Sequence, residues 1–378
     1  MSWDGHTVTI VGAGIGGLAL AAVLRRFGIP VAIFEQAQAF SRVGAGIQMS
    51  PNAMRVLRGL GLETRIRANA FQPETWDNRD WDTGVSTNLA KLGALAEERY
   101  GAPYIQMHRG DLHEFLAGTV PDGVIRYGKK LAGIEDEGGR YCLSFEDGST
   151  AEAGILIGAD GVHSLVRQHL LGAEAPRFLG RAAYRTTFPA VLLDGASVAD
   201  STKWWGVDRH IVIYFTTRNR DEIYFTTSQP ETDWTTESWS AEGSLDEMRA
   251  AFDGFHPEVQ AVLEACPHVN KWALFERDPL PKWTEGRACL LGDACHPMLP
   301  YMAQGAASSL EDAVVLARCL EAFGPDGAPA AFRRFESLRK PRTSQLQLTS
   351  HQNKFMQQKT DPDWVYGYDA WSAGLEAG

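Results

Sequence analysis

The chain has 378 residues, enough for two intimately joined domains at roughly 150 residues each, and its 44% hydrophobic and 22% charged content excludes disordered and fibrous architectures. A formal net charge of −11 disfavours nucleic acid and anionic membrane surfaces as partners, so an anionic substrate would have to find local positive charge. Cys142, Cys266, Cys289, Cys295 and Cys319 form no CxxC pair, which reads as small buried hydrophobes in a reducing compartment, with no disulfide framework and no metal centre.

The first residues enter a strand without the features of a secretory signal, and no run of about 20 apolar residues is free of glycine and charge, so the cytoplasm is the expected address and no membrane span is expected. Residues 7–11 and 30–34 are short β-branched runs flanking an alanine- and leucine-rich segment, 16–27, and read as a β-α-β unit. Between the first strand and the helix lies GAGIGG, with Gly12, Gly14 and Gly17 at the G-x-G-x-x-G spacing and Gly16 inside it. Its glycines serve a tight turn, backbone approach to a pyrophosphate, and close packing of helix on strand. Glu35 ends the next strand, where its carboxylate can accept from ribose hydroxyls and disfavours a ribose 2′-phosphate. The pattern predicts dinucleotide binding and leaves the choice between FAD and NAD open.

Further along, residues 141–150 and 153–160 read as two strands separated by an Asp147-Gly148 turn, the second buried on both faces. Asp160-Gly161 follows it and precedes a helix. From about 181 to 272 the texture changes to alternating runs, and HIVIYFTT and EIYFTTSQ form a hairpin around RNRD. ACLLGDA (288–294) restores a short buried strand ending near Asp293, followed by a helix from Ala306 to Cys319. Residues 332–357 look helical apart from Pro341, and the aromatic-rich tail 361–371 should pack on the body.

GAGIGG, Asp160-Gly161 within GADGVHSLVR, and Gly292-Asp293 within LLGDACHPMLPYMAQGAASSLEDAVVL resemble, in that order, the flavoprotein aromatic hydroxylases that share the fold of para-hydroxybenzoate hydroxylase. The resemblance spans essentially the whole chain. It implies an α/β fold: a Rossmann-like FAD-binding domain with an inserted mixed or antiparallel β-sheet substrate domain and C-terminal helices. The FAD-binding domain would comprise residues 1–72, 100–180 and 273–340, the substrate-binding sheet 73–99 and 181–272, and a C-terminal helical segment and tail 341–378. FAD is the implied cofactor and NADH or NADPH the co-substrate, with molecular oxygen and a small aromatic or pyridine carboxylic acid as partners. A homodimer is compatible with the family.

By the same resemblance Arg109, in HRGDLH, would contact the FAD phosphate or ribose region, and Arg42 would lie beside the adenosine moiety or guard flavin movement. Gln36 and Leu131 would join Glu35 among the cofactor-binding residues, with Asp160 near FAD and the nicotinamide cofactor, and Asp293, Gly305 and Ala306 on the ribityl and flavin side. YIQMHRGDLH, KWWGVDRHIVIYFTT, GDACHPMLPYMAQGA and DPDWVYGYD are most similar to family members that replace a pyridine carboxylate by hydroxyl and release carbon dioxide. Rivals sharing these motifs are salicylate 1-hydroxylase-like and hydroxypicolinate monooxygenases. A flavin-binding redox sensor is the non-enzyme alternative, and the absence of a Trp-x-Trp-x-x-Pro string argues against a flavin halogenase.

In such an enzyme the cofactor carries the oxygen chemistry, while the protein holds the ring, excludes water and helps ionise an activating hydroxyl. His210 and Tyr214 match the family's substrate-side residues; four positions apart, they share one face of a strand and suit proton removal, with the histidine titrating near neutral pH. Gln48 stands where the similar members have a histidine and can orient a hydroxyl, ring nitrogen or carboxylate. Tyr301 replaces another histidine and Ser201 a cysteine; with Met302 and Pro297 they complete the expected pocket. These departures leave the identity of the acid open. His296 is expected to be scaffold beside the flavin.

Overall fold

The apolar runs at the start of the chain form the middle of a six-stranded sheet in the computed structural model, which describes residues 2–42, 44–233, 241–353, 357 and 360–376. Val8–Val11 lies between Val31–Phe34 and Leu156–Gly158, parallel to both, and Ala288–Leu290 continues the parallel run. Strands covered on both faces need continuous rather than alternating apolar sequence, and every residue of Val8–Val11, Leu156–Gly158 and Ala288–Leu290 is buried. Helix Ile15–Arg26 packs against helix Gly305–Phe323, which brings the GAGIGG turn and the later glycine-alanine segment to one side of the sheet.

A second, mixed sheet has seven strands in the order Asn270–Glu276, Arg177–Pro189, Glu222–Pro230, His210–Phe215, Ser201–Trp205, Thr75–Asp80 and Ser86–Lys91. All neighbours are antiparallel except Ser201–Trp205 with Thr75–Asp80. The two-residue side-chain period divides strand His210–Phe215 cleanly. Ile211, Ile213 and Phe215 join a core with Met248, Val259 and Leu263, while His210, Val212 and Tyr214 face the opposite way, into a cavity.

Three local expectations change. The Asp147-Gly148 turn joins Tyr141–Phe145 to Thr150–Ala153 in a small antiparallel sheet, and the apolar Leu156–Gly158 is a third strand belonging to the six-stranded sheet. Its full burial selects the central sheet over the half-exposed hairpin. The sheet region between 181 and 272 also contains helices Leu245–Ala251 and Pro257–Ala265, whose apolar sides cover the outer face of the sheet. Finally, helix Ala328–His351 continues through Pro341, across the boundary expected there.

That helix is held by charge as well as packing. Arg339, fully buried, meets Glu311 and Asp312 of helix Gly305–Phe323 at 2.7 Å each, and Asp312 in turn holds His296. His296 is thereby scaffold for the loop that begins at Gly292-Asp293. Pro341 is exposed and removes one N–H to the carbonyl of Ser337, so Pro341→Ala restores a helix bond and should stabilise the protein by about 1–2 kcal/mol, after the loss of proline's restraint on the unfolded chain. Urea denaturation checks this; an unchanged or lowered midpoint would mean that the helix already accommodates the ring without loss. Among the described residues no helix is long and apolar enough to cross a membrane.

Candidate active site

A cavity of about 1030 Å³ extends from the carboxyl ends of Val8–Val11 and Val31–Phe34 to the inner face of the seven-stranded sheet. At its first end the two leading glycines of GAGIGG do different work. Gly12 has φ of +101°, and a Cβ there would stand 2.4 Å from the Ala159 carbonyl oxygen, so the tight turn admits no side chain. Gly14 has an ordinary extended backbone, φ −69° and ψ −178°, and no atom lies within 4 Å of its would-be Cβ. It caps helix Ile15–Arg26, whose first turn has no acidic residue and no side-chain cap, so unpaired N–H groups and the positive dipole end look onto open cavity.

Glu35 accepts from the backbone N–H of Ala13 at 2.7 Å and of Ala37 at 2.8 Å, one bond to each oxygen. A carboxylate offers about four acceptor positions, so two remain for ribose hydroxyls. Gln36 and Leu131 line the same end, as does Gly16. Arg109 opens helix Arg109–Ala117 and points into the cavity; burial lowers its pKa and Asp293 opposes that, and no carboxylate among the described residues forms an ion pair with it. Asp293 itself is pushed up by burial and lies beside Gly305 and Ala306, at the uncapped start of helix Gly305–Phe323. Asp160 lines the wall but is engaged in shaping it, accepting from Ser164 Oγ and from the Val166 N–H at 3.2 Å. An open helix N-terminus, a carboxylate with spare lone pairs and a cavity-facing arginine fit the pyrophosphate and ribose of FAD.

At the other end the floor is laid out by strand register. One row across the sheet reads Asn270, Arg185, Thr226, Val212 and Lys203, each paired with the next, and all five line the cavity. The adjacent rows carry Trp205, His210 and Ser228 on one side and Ser201, Tyr214 and Tyr224 on the other, and of these His210, Tyr214 and Tyr224 line the cavity. Above the floor, Gln48 accepts from Tyr104 Oη at 2.5 Å, and Tyr301, Met302 and Trp76 close the walls. Tyr301 Oη bonds Ser228 Oγ at 2.9 Å, which Arg181 also reaches at 2.8 Å.

Burial sets the protonation states. It holds His210 well below 6.5, with Lys203 and Arg181 adding repulsion, so the imidazole is neutral at physiological pH and does not titrate near neutrality as its residue type suggests. Burial pushes the Tyr214 phenol well above 10, Gln48 opposing through a hydrogen bond, so Tyr214 is a neutral donor. Burial draws the Lys203 ammonium down to about 7 and Arg185 down to about 10.

Four expected site residues lie off the cavity. Arg42 is drawn outward to Asp111 at 2.5 Å and Glu222 at 3.5 Å. Ser201 is on the correct face of its strand, but its hydroxyl is covered by Gln106, which donates to it at 2.6 Å. Pro297 is buried, its carbonyl taken by Gln347 Nε2 at 2.9 Å, and the neighbouring Met298, Leu299 and Pro300 line the wall instead. Gly17 packs inside the turn, its would-be Cβ 2.1 Å from the Gly12 carbonyl oxygen. Conversely, Lys203, Arg185, Tyr104 and Tyr224 line the cavity and were not anticipated.

The profile of the family described as FAD binding domain matches residues 6–349. The 6-hydroxynicotinate 3-monooxygenase of Bordetella bronchiseptica is 46% identical over 373 residues, covering 98% of this chain and 97% of that protein. The enzyme of the same name from Pseudomonas fluorescens is 44% identical over 370 residues, covering 97% of this chain and 96% of that protein. Among solved structures, Klebsiella pneumoniae HpxO complexed with FAD and uric acid matches with a TM-score of 0.83 at 26% identity, covering 96% of this chain and 92% of that one.

Proposed function

Because this chain belongs to the family described as FAD binding domain and is an FAD-dependent aromatic-ring monooxygenase, we propose that its substrate is a small hydroxylated pyridine or benzene carboxylic acid of the 6-hydroxynicotinate type, hydroxylated with loss of the carboxylate. The balance is one acid carboxylate, one oxygen molecule, one NADH or NADPH and two protons giving the hydroxylated ring, carbon dioxide, oxidised nicotinamide and water. The observation that carries the reading is the enclosed end of the cavity, where the neutral hydrogen-bonding groups Gln48, Tyr104, Tyr214 and His210 stand beside a buried ammonium.

Residues 73–99 and 181–272 form the substrate-binding part, the remainder up to about residue 340 the part that holds FAD. The helix start at Gly14 and Arg109 hold the pyrophosphate, Glu35 the ribose, and the segment at Asp293, Gly305 and Ala306 the flavin side. When bound and reduced by NAD(P)H, FAD would activate molecular oxygen, from which one atom goes to the ring and the other to water. The chain's own part is orientation and proton handling. Tyr214 donates to the ring hydroxyl or its anion, and Gln48 fixes that hydroxyl's direction. His210, neutral and facing the cavity, receives the hydroxyl proton, and an arriving carboxylate raises its basicity by placing opposite charge nearby. Tyr301, Met302 and Trp76 keep water from the reacting ring.

Anaerobic stopped-flow reduction of the FAD-loaded protein by NADH tests this. With 6-hydroxynicotinate, a hydroxypicolinate, salicylate or 4-hydroxybenzoate added in turn, one acid should accelerate reduction by about tenfold or more through correct positioning. Equal rates with every acid and with none would sink the proposed substrate class.

A further inference from the structure

The seven-stranded sheet carries a lysine on a wall that would ordinarily be apolar. Lys203 is 4% exposed and lines the cavity. Among the described residues no carboxylate pairs with it. Its Nζ lies 3.4 Å from Asn353 Oδ1, 3.8 Å from the centroid of the Trp205 ring and 5.9 Å from that of Tyr301. The contrast with Lys271 of the same sheet is direct: that ammonium is also buried, but Glu231 meets it at 2.7 Å. An ammonium removed from water is costly unless a counter-charge or good hydrogen bonds replace the hydration. Among the described residues Lys203 has aromatic faces and one long amide contact, and it lines the cavity, from which a ligand can bring the counter-charge.

Arg185, the other cation of the row, is placed differently. Its guanidinium lies 3.9 Å over the Trp272 ring and within electrostatic reach of Arg109, on the nucleotide side. Lys203 stands among His210, Trp205 and Tyr301: the His210 ring is 5.3 Å from Trp205 and 5.5 Å from Tyr301. We propose that the Lys203 ammonium is the group that recognises the substrate's carboxylate, held in place by the Trp205 and Tyr301 rings. The proposal rests on the reading of the substrate as a carboxylic acid.

A pH signature follows. Among the described residues, the polar and aromatic groups packed against Lys203 are His210 from the adjacent strand, Tyr301 from the loop after Leu299, Trp205 beside it, Asn78 of the parallel strand, which bonds Trp205 Nε1, and Asn353 after helix Ala328–His351. None is acidic. With burial holding the free ammonium at about 7, a bound carboxylate draws a proton onto Lys203. Affinity for an acid is therefore full below about pH 7 and falls by up to about tenfold per unit above it, until the pKa of the complex is passed.

The test uses the FAD-loaded enzyme, with binding read from the perturbed absorbance of the bound flavin. Two pairs are titrated, 6-hydroxynicotinate against 2-hydroxypyridine and salicylate against phenol, so that each acid has a partner lacking only the carboxylate. In the unmodified protein at least one acid should bind about 30-fold more tightly than its partner, the size of one buried charge-assisted hydrogen bond. In Lys203→Met that preference should shrink to about threefold or less, and the acid's Kd should become flat from about pH 6 to 9. Retained FAD and an unchanged unfolding temperature establish that the variant is folded, and Lys203→Gln serves as a second neutral variant. A Lys203-dependent preference for salicylate alone would uphold the proposal and sink the pyridine reading. Retention of the acid preference in both variants, or no preference for either acid in the unmodified protein, would overturn it. In that last case turnover of a neutral phenol would still keep the monooxygenase.

Discussion

Gly14→Leu is expected to give a folded protein that has lost FAD, with affinity lowered by about 100-fold or more, the equivalent of two charge-assisted hydrogen bonds. The separation of folding from binding comes from local geometry. Gly14 has φ of −69° and an extended ψ, which any residue adopts, and its missing Cβ would meet nothing within 4 Å. Leucine there strains nothing but occupies the space in front of the first N–H groups of helix Ile15–Arg26, where a pyrophosphate must approach. Gly12 offers no such separation, because its positive φ and the 2.4 Å approach to the Ala159 carbonyl would disturb the turn itself. Fluorescence titration of the apoprotein with FAD, beside thermal unfolding, measures both quantities. Full FAD content in Gly14→Leu would mean that the pyrophosphate does not sit at this helix start.

His210→Asn is expected to lower kcat/KM for the accepted acid by 100-fold or more, within the range of about 10²–10⁴ for a lost proton acceptor. The substrate Kd should change by less than about fivefold, and hydrogen peroxide should account for most of the NADH consumed. Asparagine retains a hydrogen-bonding amide of similar reach but cannot take a proton. The sign of the pH effect is also fixed. Burial, Lys203 and Arg181 hold the free imidazole well below 6.5, so kcat/KM, which reports the free enzyme, should show no loss from His210 protonation until well below that value. Near-normal turnover in His210→Asn would reduce the residue to packing between the Trp205 and Tyr301 rings.

The nucleotide end of the cavity is legible because its information is local. Strand, GAGIGG, helix and Glu35 occupy one continuous stretch, and the physical demand on each position is met within a few residues. His210 and Tyr214 are legible for a similar reason, since a strand's period of two places them on one face whatever surrounds the strand. Lys203 and Arg185 are not, because the row that joins them passes through Val212 and Thr226 on two other strands, and strand order is a property of the whole sheet. Ser201 marks the limit of parity: its face is right, yet Gln106, from the strand Ile105–His108 of a different sheet, covers its hydroxyl. Protonation fails in the same way, since the neutral state of His210 depends on burial and on Lys203 and Arg181, which its residue type alone does not disclose.

The most direct test of the whole account is turnover of 6-hydroxynicotinate with NADH under ¹⁸O₂, with product mass and released carbon dioxide recorded together. One ¹⁸O atom in the ring product and one carbon dioxide for each NADH consumed is the predicted result. A product that keeps its carboxylate, or NADH consumed with hydrogen peroxide as the sole oxygen product, would contradict decarboxylative hydroxylation of this acid.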